Sequence, residues 1–244
     1  MTELVLLHGW GMHPVIWEPL LEHLPSDWLI HNLPLPGYAG ANSVSPYGVE
    51  ALAEALAPQL PDHALLVGWS LGGLVALSIA RRWPEKLRGL VLIGTTPCFV
   101  TRPGWPHGVA QEVFAGFSQS LARDYVDTLR RFLALQAQGS DSVRTVIKLL
   151  RERLLAQPRP ENAVLQAGLA ILQDTDLRGS LTSLGVSLTL VHGSGDKLAP
   201  LAAARWLARL VPGTRLREID KAGHAPFLSH PVEVAKIIRD AAGG

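Results

Sequence analysis

The chain is poor in cysteine, in net charge and in long apolar runs. Its 244 residues include one cysteine, Cys98, which excludes an internal disulfide and fits a reducing compartment. The formal net charge of +1 argues against nucleic acid as the main partner. No apolar stretch reaches the ~20 residues of a membrane-spanning helix, and no basic-then-apolar leader opens the chain. We therefore expect a cytoplasmic monomer that binds neither nucleic acid nor a membrane.

Motifs that hold metals or dinucleotides are also missing. The sequence contains no C-x-x-C or H-E-x-x-H pattern, and no G-x-G-x-x-G follows a strand-like run. We expect neither a metal nor another cofactor. The 48% hydrophobic content over this length suits one soluble domain with a large core.

The most informative segment that is present is Gly68-Trp69-Ser70-Leu71-Gly72, which fits the pattern G-x-S-x-G. An apolar, strand-like run precedes it at 64–67, and an Ala- and Leu-rich, helix-like run follows it at 71–82. This strand–turn–helix context is typical of the nucleophile turn of α/β-hydrolases, which projects a serine hydroxyl from the sheet edge. The sequence therefore predicts that Ser70 is a nucleophile.

Strand-like and helix-like segments alternate along most of the chain. We predict strands near 4–7, 28–33, 64–68, 88–94, 186–191 and 214–219, and helices near 14–24, 48–58, 71–82, 200–210 and 231–241. This alternation indicates an α/β fold with a mainly parallel, doubly wound sheet and right-handed crossovers. The antiparallel strands that often begin the α/β-hydrolase fold are expected to be short or missing, which gives a shortened N-terminus.

A serine nucleophile needs a base, and the base needs an orienting group. Asp196 and His224 each follow a predicted strand, in the chain order Ser, acid, His of α/β-hydrolases. Because parallel strands place their sites at one sheet edge, we expect these side chains to converge with Ser70. We predict that His224 is the general base and then acid, and that Asp196 is the orienting carboxylate.

Other acids and histidines compete for these roles. Asp220 is close to His224 in sequence, but proximity along the chain does not aim its carboxylate at the ring. Asp174 and Asp176 resemble capping or turn residues. His192 and His230 flank the site loops, and a structural role is the simpler interpretation for both.

The early strand ends in His8-Gly9-Trp10-Gly11, which is typical of a loop that contributes to an oxyanion hole. We expect one backbone N–H donor from Leu71, the residue after the nucleophile, and the other from Trp10. An ordinary glycine turn is the competing interpretation of the early loop.

Between about Pro97 and Ser180 the periodicity is helical, with segments at 111–121, 125–138, 142–157 and 161–171. We predict an α/β core formed by residues 1–96 and 181–244, with a helical cap, residues 97–180, that roofs the serine. Phe132 is our candidate for an aromatic side chain that faces the site.

The cap segment 119–159 has eight basic and four acidic residues, a net charge of +4 in a nearly neutral chain. Arg144, Lys148 and Arg151 have the spacing of one helix face. That face is either solvated or a docking patch for an acidic partner.

Several motifs together carry a resemblance to a known family: Leu6-Leu7-His8-Gly9-Trp10-Gly11, Gly68-Trp69-Ser70-Leu71-Gly72-Gly73-Leu74-Val75, Pro97-Cys98-Phe99, Phe132-Leu133-Ala134-Leu135-Gln136 and Gly223-His224-Ala225-Pro226-Phe227. The chain resembles, over nearly its whole length, the pimeloyl-acyl-carrier-protein methyl ester esterases of biotin synthesis. The resemblance implies hydrolysis of a methyl ester on an acidic acyl carrier protein by a catalytic triad of Ser70, His224 and Asp196. It implies substrate contacts at Trp10, Ser70, Leu71, Phe132, Leu133, Ala134, Leu135, Gln136 and His224. It also implies carrier contacts at Arg131, Arg144 and Lys148, while Asp127 stands where that family has a fourth basic residue.

Other functions stay open at this stage. A broad short-chain carboxylesterase would use the same motifs, and so would a carbon–carbon bond hydrolase or a perhydrolase. A non-enzymatic receptor is disfavoured by the intact triad. A haloalkane dehalogenase is excluded because it needs an aspartate at position 70, where this chain has Ser70.

Overall fold

The computed structural model describes residues 1–181 and 184–243. Thr182, Ser183 and Gly244, which the domain prediction assigns to the core, lie outside the described residues. The described strands form one six-stranded, all-parallel sheet in the order β2-β1-β3-β4-β5-β6. Their bounds are β1 Glu3–Leu7, β2 Leu29–Leu33, β3 Ala64–Trp69, β4 Leu87–Ile93, β5 Leu188–Gly193 and β6 Arg215–Ile219.

The strands in the middle of the sheet are almost continuously apolar because both of their faces are covered. All six residues of β3 are buried, and so are the six residues of β5. The helices outside the 94–187 region are α1 Glu18–Leu21, α2 Val49–Leu56, α3 Leu71–Arg82, α8 Leu201–Leu210, α9 Pro226–Ser229 and α10 Pro231–Ala242.

The strand order determines which face each helix covers. The step from β1 to β2 runs in the direction opposite to the later steps, so right-handed crossovers place α1 on one face and α2, α3 and α8 on the other. Helix α10 contacts α1, β4 and β5, which places it on the face of α1. The carboxyl ends of the strands then form a single edge, and β3, β5 and β6 lead there into the loops of Ser70, Asp196 and His224.

Four helices lie between β4 and β5, and we refer to them as the helical insert: α4 Gln111–Leu121, α5 Tyr125–Ala137, α6 Val143–Leu155 and α7 Asn162–Asp174. Within the insert, α4 packs against α5 and α7, and α5 packs against α6. Helix α7 contacts α3, and α6 contacts α9, so the insert lies over the elements at the carboxyl edge of the sheet.

The predicted α/β fold is confirmed, and each predicted strand agrees with an observed one to within two residues at either end. Three helix predictions were wrong in extent, and one of them is α7, which continues to Asp174, three residues beyond its predicted end. Instead of one helix over 14–24, the chain forms a 3-10 turn at Pro14–Trp17 and the single turn α1, because Pro19 has no N–H for a continuous helix. Helix α2 ends at Leu56 for the same reason, since Pro58 follows in a 3-10 turn. The short α9 was not predicted, because four residues are too few to show a helical period.

No helix among the described residues is both long enough and apolar enough to cross a membrane. Within the same residues, no three side chains of His, Cys, Asp or Glu cluster as a metal site would require.

Candidate active site

Ser70 occupies the sharp turn between β3 and α3. Its backbone has φ +56° and ψ −117°, a conformation that is strained for a residue with a side chain. The turn is held because the Ser70 N–H donates to the carbonyl of Ile93 at 3.1 Å. It also depends on small neighbours, since a Cβ on Gly72 would lie 2.4 Å from the carbonyl oxygens of Leu7 and His8. This geometry matches the nucleophile turn that the sequence predicts.

Asp196 and His224 are brought together by the turns that follow β5 and β6. The Nδ1 atom of His224 lies 2.8 Å from Asp196 Oδ2, and both side chains are fully buried. The other carboxylate oxygen, Oδ1, accepts the N–H groups of Leu198 and Ala199 at 2.8 and 2.9 Å. Burial alone would raise the pKa of Asp196, but the adjacent His224, then His192 and the Ala199 N–H, hold this pKa below its usual range. The carboxylate is therefore ionised and accepts the Nδ1–H proton.

That hydrogen bond determines what the other nitrogen of His224 can do. With Nδ1 protonated, a neutral imidazole presents Nε2 as an acceptor. His224 Nε2 is buried and has no hydrogen-bond partner among the described residues. The backbone around the ring is anchored on both sides, because Trp69 Nε1 donates to the His224 carbonyl and the His224 N–H donates to the Gln136 carbonyl, each at 2.9 Å. The fixed ring thus keeps one unpaired basic nitrogen at the sheet edge where Ser70 lies.

The competing acid is placed differently. Asp220 is exposed, and its Oδ1 accepts a hydrogen bond from Ser194 Oγ at 3.3 Å, so the structure does not pair it with His224. Asp176 binds Arg178 through both carboxylate oxygens. Only Asp196 among these carboxylates contacts the His224 ring.

His192 is a second buried histidine close to the Asp196 carboxylate. It is buried, its Nε2 lies 2.5 Å from the Ala199 carbonyl, and the same nitrogen is 3.6 Å from Asp196 Oδ2. Burial lowers the pKa of His192, so the ring is neutral and donates to Ala199. This contact fixes the 196–199 turn, in keeping with the structural role expected from the sequence.

The turn that carries Trp10 lies beside the Ser70 turn, since a Cβ on Gly9 would lie 3.3 Å from Ser70 Cβ. Leu71 is the first residue of α3, so its N–H has no carbonyl partner within the helix. In the Trp10 turn, the Met12 N–H donates to the Gly9 carbonyl and the Gly11 N–H donates to Tyr38 Oη, both at 3.3 Å. Tyr38 could not be found from the sequence, because its contact with this turn joins positions 27 residues apart in the chain.

His8 holds the Trp10 turn in place. Its Nε2 accepts the Leu35 N–H at 3.1 Å, and its Nδ1 lies 2.9 Å from the Gly9 carbonyl. Burial lowers the pKa of His8 to about 4, so the ring is neutral near pH 7 and can make both bonds. The turn is therefore attached to the loop after β2.

The side chain of Trp10 joins this turn to the insert. Its indole Nε1 donates to the Leu165 carbonyl in α7 at 2.7 Å, and its ring packs edge-on against Phe132 at 4.6 Å between centroids. Phe132 in turn packs against Phe117 at 5.3 Å. Ser70 as a whole residue is only 3% exposed, so the structure shows a closed site.

The predicted substrate contacts in α5, residues 132–136, do not all point toward the interior, because consecutive helix residues point in different directions. Phe132, Leu133 and Gln136 are buried, Leu135 is half-buried, and Ala134 is exposed. Gln136 Oε1 has no hydrogen-bond partner among the described residues. The structure thus brings Phe132 to Trp10 and leaves Ala134 on the solvent side of α5.

The expected carrier contacts are exposed and separate from the catalytic groups. Arg131 in α5 forms an ion pair with Asp127 at 2.9 Å, and Lys148 in α6 lies 3.8 Å from Glu152. A surface hollow of about 470 Å³ runs along α6 and is lined by Arg144, Ile147, Lys148, Arg151 and Glu152. The structure therefore places Arg144, Lys148 and Arg151 on one face, as their spacing predicts.

The chain belongs to the alpha/beta hydrolase family, whose pattern matches residues 4–237. It is 50% identical to a pimeloyl-[acyl-carrier protein] methyl ester esterase of Aromatoleum aromaticum, over 99% of this chain and 98% of that protein. It is 43% identical to the protein of the same name from Aeromonas hydrophila, over 99% of this chain and 95% of that protein.

The fold is also similar to that of a solved structure, an esterase from Exiguobacterium antarcticum. The TM-score is 0.90, with 100% of this chain and 92% of that chain covered. At 20% sequence identity, this likeness shows the shared fold alone.

Proposed function

We propose that the chain is a serine carboxylesterase that hydrolyses the methyl ester of a pimeloyl group carried on acyl carrier protein, in biotin synthesis. The two relatives that bear this name, 50% and 43% identical over nearly full length, support the substrate. The chemistry is supported best by one observation, the 2.8 Å hydrogen bond between His224 and Asp196 in loops at the same sheet edge as the Ser70 turn.

In the first half of the reaction, Ser70 attacks the ester carbonyl. His224 Nε2 takes the proton from Ser70 Oγ as the bond to the carbonyl carbon forms, and Asp196 stabilises the resulting imidazolium. The N–H groups of Leu71 and Trp10 receive the oxyanion of the tetrahedral intermediate. The intermediate collapses, His224 protonates the leaving oxygen, and methanol departs from an acyl-enzyme.

In the second half, water replaces methanol. His224 Nε2 removes a proton from the water as its oxygen attacks the acyl carbon, and the same oxyanion donors receive the developing charge. Collapse returns the proton to Ser70 Oγ and releases the free carboxylic acid. Each proton moves through His224, which explains why its ring is anchored while Nε2 stays unpaired.

The insert is the lid in this proposal. The closed roof of Trp10 and Phe132 is apolar, which suits the methylene chain of a pimeloyl group, and it would exclude water during the first half-reaction. Because Ser70 is nearly fully buried, entry of a substrate requires the insert to move away from the Trp10 turn. The indole bond to Leu165 breaks in that movement.

The basic face of α6 is the proposed carrier surface. Arg144, Lys148 and Arg151 line the 470 Å³ hollow together with one acidic residue, Glu152, so its net positive charge would attract an acidic carrier. Arg131 would add to this attraction from α5. We place the reaction in the cytoplasm, a compartment supported by the single, buried cysteine.

One observation favours a second function, a broad short-chain carboxylesterase. Asp127 pairs with Arg131 at 2.9 Å, which withdraws one positive charge from the proposed carrier surface. A chain that acts on small esters would retain the catalytic groups without needing this surface.

Growth of a biotin auxotroph that lacks its own methyl esterase tests the proposal. We expect expression of the wild-type chain to restore growth without biotin, and the Ser70→Ala variant at equal abundance to fail. Hydrolysis of short esters by the purified protein without complementation would contradict the biotin assignment and favour the second function.

A further inference from the structure

The last two residues of α5 and the turn that follows them, residues 136–141, pack directly on both loops that carry His224 and Asp196, and we call this segment the α5–α6 turn. The His224 N–H donates to the Gln136 carbonyl at 2.9 Å, and the Asp141 N–H donates to the Lys221 carbonyl at 3.0 Å. The insert therefore touches the loop of the proposed base through backbone hydrogen bonds, in addition to covering the site from above.

The same turn meets the Asp196 loop without intervening side chains. Gly139 has φ +86°, and a Cβ built on it would lie 2.0 Å from the carbonyl oxygen of Gly195, the residue before Asp196. The Gly195 N–H donates to the Ala222 carbonyl at 2.9 Å, which ties the two catalytic loops to each other. Three backbone segments thus meet in one junction, and Gly139 allows the closest of these approaches.

From this geometry we infer that the α5–α6 turn is a positioning element for the catalytic base, with Gly139 and the Gln136 carbonyl as its positioning residues. The inference rests on the proposed roles of Ser70, His224 and Asp196. When the turn is in contact with the His224 loop, the Gln136 carbonyl fixes the backbone of His224 while Asp196 fixes its ring. When the turn moves, the His224 N–H loses its acceptor.

The α5–α6 turn lies between residues of the proposed carrier surface. Arg131 lies five residues before Gln136, and Arg144 lies three residues after Asp141, so the proposed carrier surface continues from both ends of the turn. A partner that docks on α5 and α6 therefore contacts the same segment whose Gln136 carbonyl accepts the His224 N–H. Docking of the carrier and the position of the His224 backbone are coupled through this hydrogen bond.

The test compares two glycine substitutions with a small aryl ester as substrate. Gly139→Ala places a methyl group against Gly195, whereas Gly104→Ala carries a similar positive φ, +72°, but meets no atom within 4 Å. We expect Gly139→Ala to lower kcat about tenfold or more, with KM within about twofold of wild type, because a misplaced base slows chemistry and not binding. Gly104→Ala should keep kcat within about twofold of wild type. It places an alanine at a positive φ, as Gly139→Ala does, but its methyl group meets no neighbouring atom.

A spectroscopic readout separates positioning of the base from general damage. The His224 Nδ1–H proton, bonded to Asp196, should give a far-downfield proton resonance in wild type and Gly104→Ala that is shifted or lost in Gly139→Ala. An unchanged resonance and an unchanged kcat in Gly139→Ala would overturn the inference and leave the esterase proposal intact. Failure of the wild-type chain to hydrolyse any ester would instead overturn the esterase proposal.

If Gly139→Ala does not fold, amide hydrogen exchange of the wild-type chain tests whether the α5–α6 turn holds the His224 backbone. Because the Gln136 carbonyl is the acceptor of the His224 N–H, that amide should exchange together with the amides at the end of α5. Protection of the His224 amide while the end of α5 exchanges freely would overturn the inference.

Discussion

Ser70, Asp196 and His224 each depend on neighbours that the local sequence only partly reveals. The strained backbone of Ser70 requires Gly72, where a side chain would strike the carbonyls of Leu7 and His8. Asp196 and Asp220 both follow a strand end, so this position alone does not separate them. Their contacts do, because Asp196 bonds the His224 ring whereas Asp220 bonds Ser194. The hydrogen bonds that keep the Asp196 carboxylate ionised and aimed come from Leu198, Ala199 and His224, whose arrangement only the structure gives.

The different partners of Asp196 and Asp220 give a prediction for single residues. We expect Asp196→Asn to lower kcat for a small aryl ester by up to ~10⁴-fold, because an amide can donate to the imidazole and select the wrong tautomer. Asp220→Asn should change kcat by less than about threefold, because the Asp220 carboxylate is exposed and bonds only Ser194 among the described side chains. Steady-state kinetics of both variants check this, and equal losses would contradict the assignment of the acid.

At the scale of elements, the helical insert has two distinct sides. Its inner side carries Phe132 against Trp10, with Phe117 packed on Phe132, and its outer side carries the basic face of α6. The helical spacing of the basic residues predicted the outer side, and Phe132 was the aromatic side chain expected to face the site. The sequence could not predict that Trp10 and Leu165 meet, because those residues are 155 positions apart and belong to different parts of the chain.

The outer side gives a prediction about the carrier. Reversing Arg144 and Lys148 to Glu should lower kcat/KM for a carrier-bound methyl ester about tenfold or more at low salt, mainly through slower association. A small ester should be hydrolysed within about twofold of the wild-type rate, because both side chains lie outside the catalytic groups. Raising the salt concentration should lower the wild-type rate toward that of the variant, since exposed charges are screened over about 8–10 Å.

Arg209 and Arg215 provide the matched control, because both are exposed and lie outside the insert. Reversing these two to Glu changes the net charge of the molecule by the same amount and should leave both substrates unaffected. Equal losses for the two double variants would show that net charge, and not a docking face, governs the rate.

For the molecule as a whole, the sheet was predictable because its strands are short apolar runs at regular positions, and the carboxyl edge then places the functional loops. A helical roof over the serine was predicted from the helical segments, but the contacts between turns beneath it were not, because a contact such as that of Gly139 with Gly195 has no periodic signal. The exposure of Ala134 within an otherwise buried run likewise follows from the rotation of α5 on its neighbours.

Buried neutral histidines make the stability of the whole fold depend on pH. His8 has a folded pKa of about 4 against an ordinary value of 6.5, so between these values the unfolded chain binds a proton that the folded chain does not. The free energy of unfolding should therefore fall as pH decreases from about 6.5 to 4, with a contribution from His8 on the order of 3 kcal/mol. Urea unfolding across this range measures the slope.

His8→Gln isolates this contribution. The variant should be less stable near pH 7, because glutamine replaces only one of the two ring hydrogen bonds, and its stability should fall less steeply between pH 6.5 and about 4. His63→Gln is the control, since His63 is exposed and should leave the slope unchanged. A slope in His8→Gln identical to that of wild type would contradict the buried, neutral state of His8.

The central claim is that Ser70, activated by His224 and Asp196, hydrolyses a carrier-bound methyl ester. The most direct measurement is release of methanol and of the free carboxylic acid from a pimeloyl-carrier methyl ester by the wild-type chain and by Ser70→Ala, with folding checked by circular dichroism. We predict hydrolysis by the wild type and a loss of several orders of magnitude in a folded Ser70→Ala variant. A folded Ser70→Ala variant that kept more than about a tenth of the wild-type activity, or a wild type that released no methanol, would contradict the account.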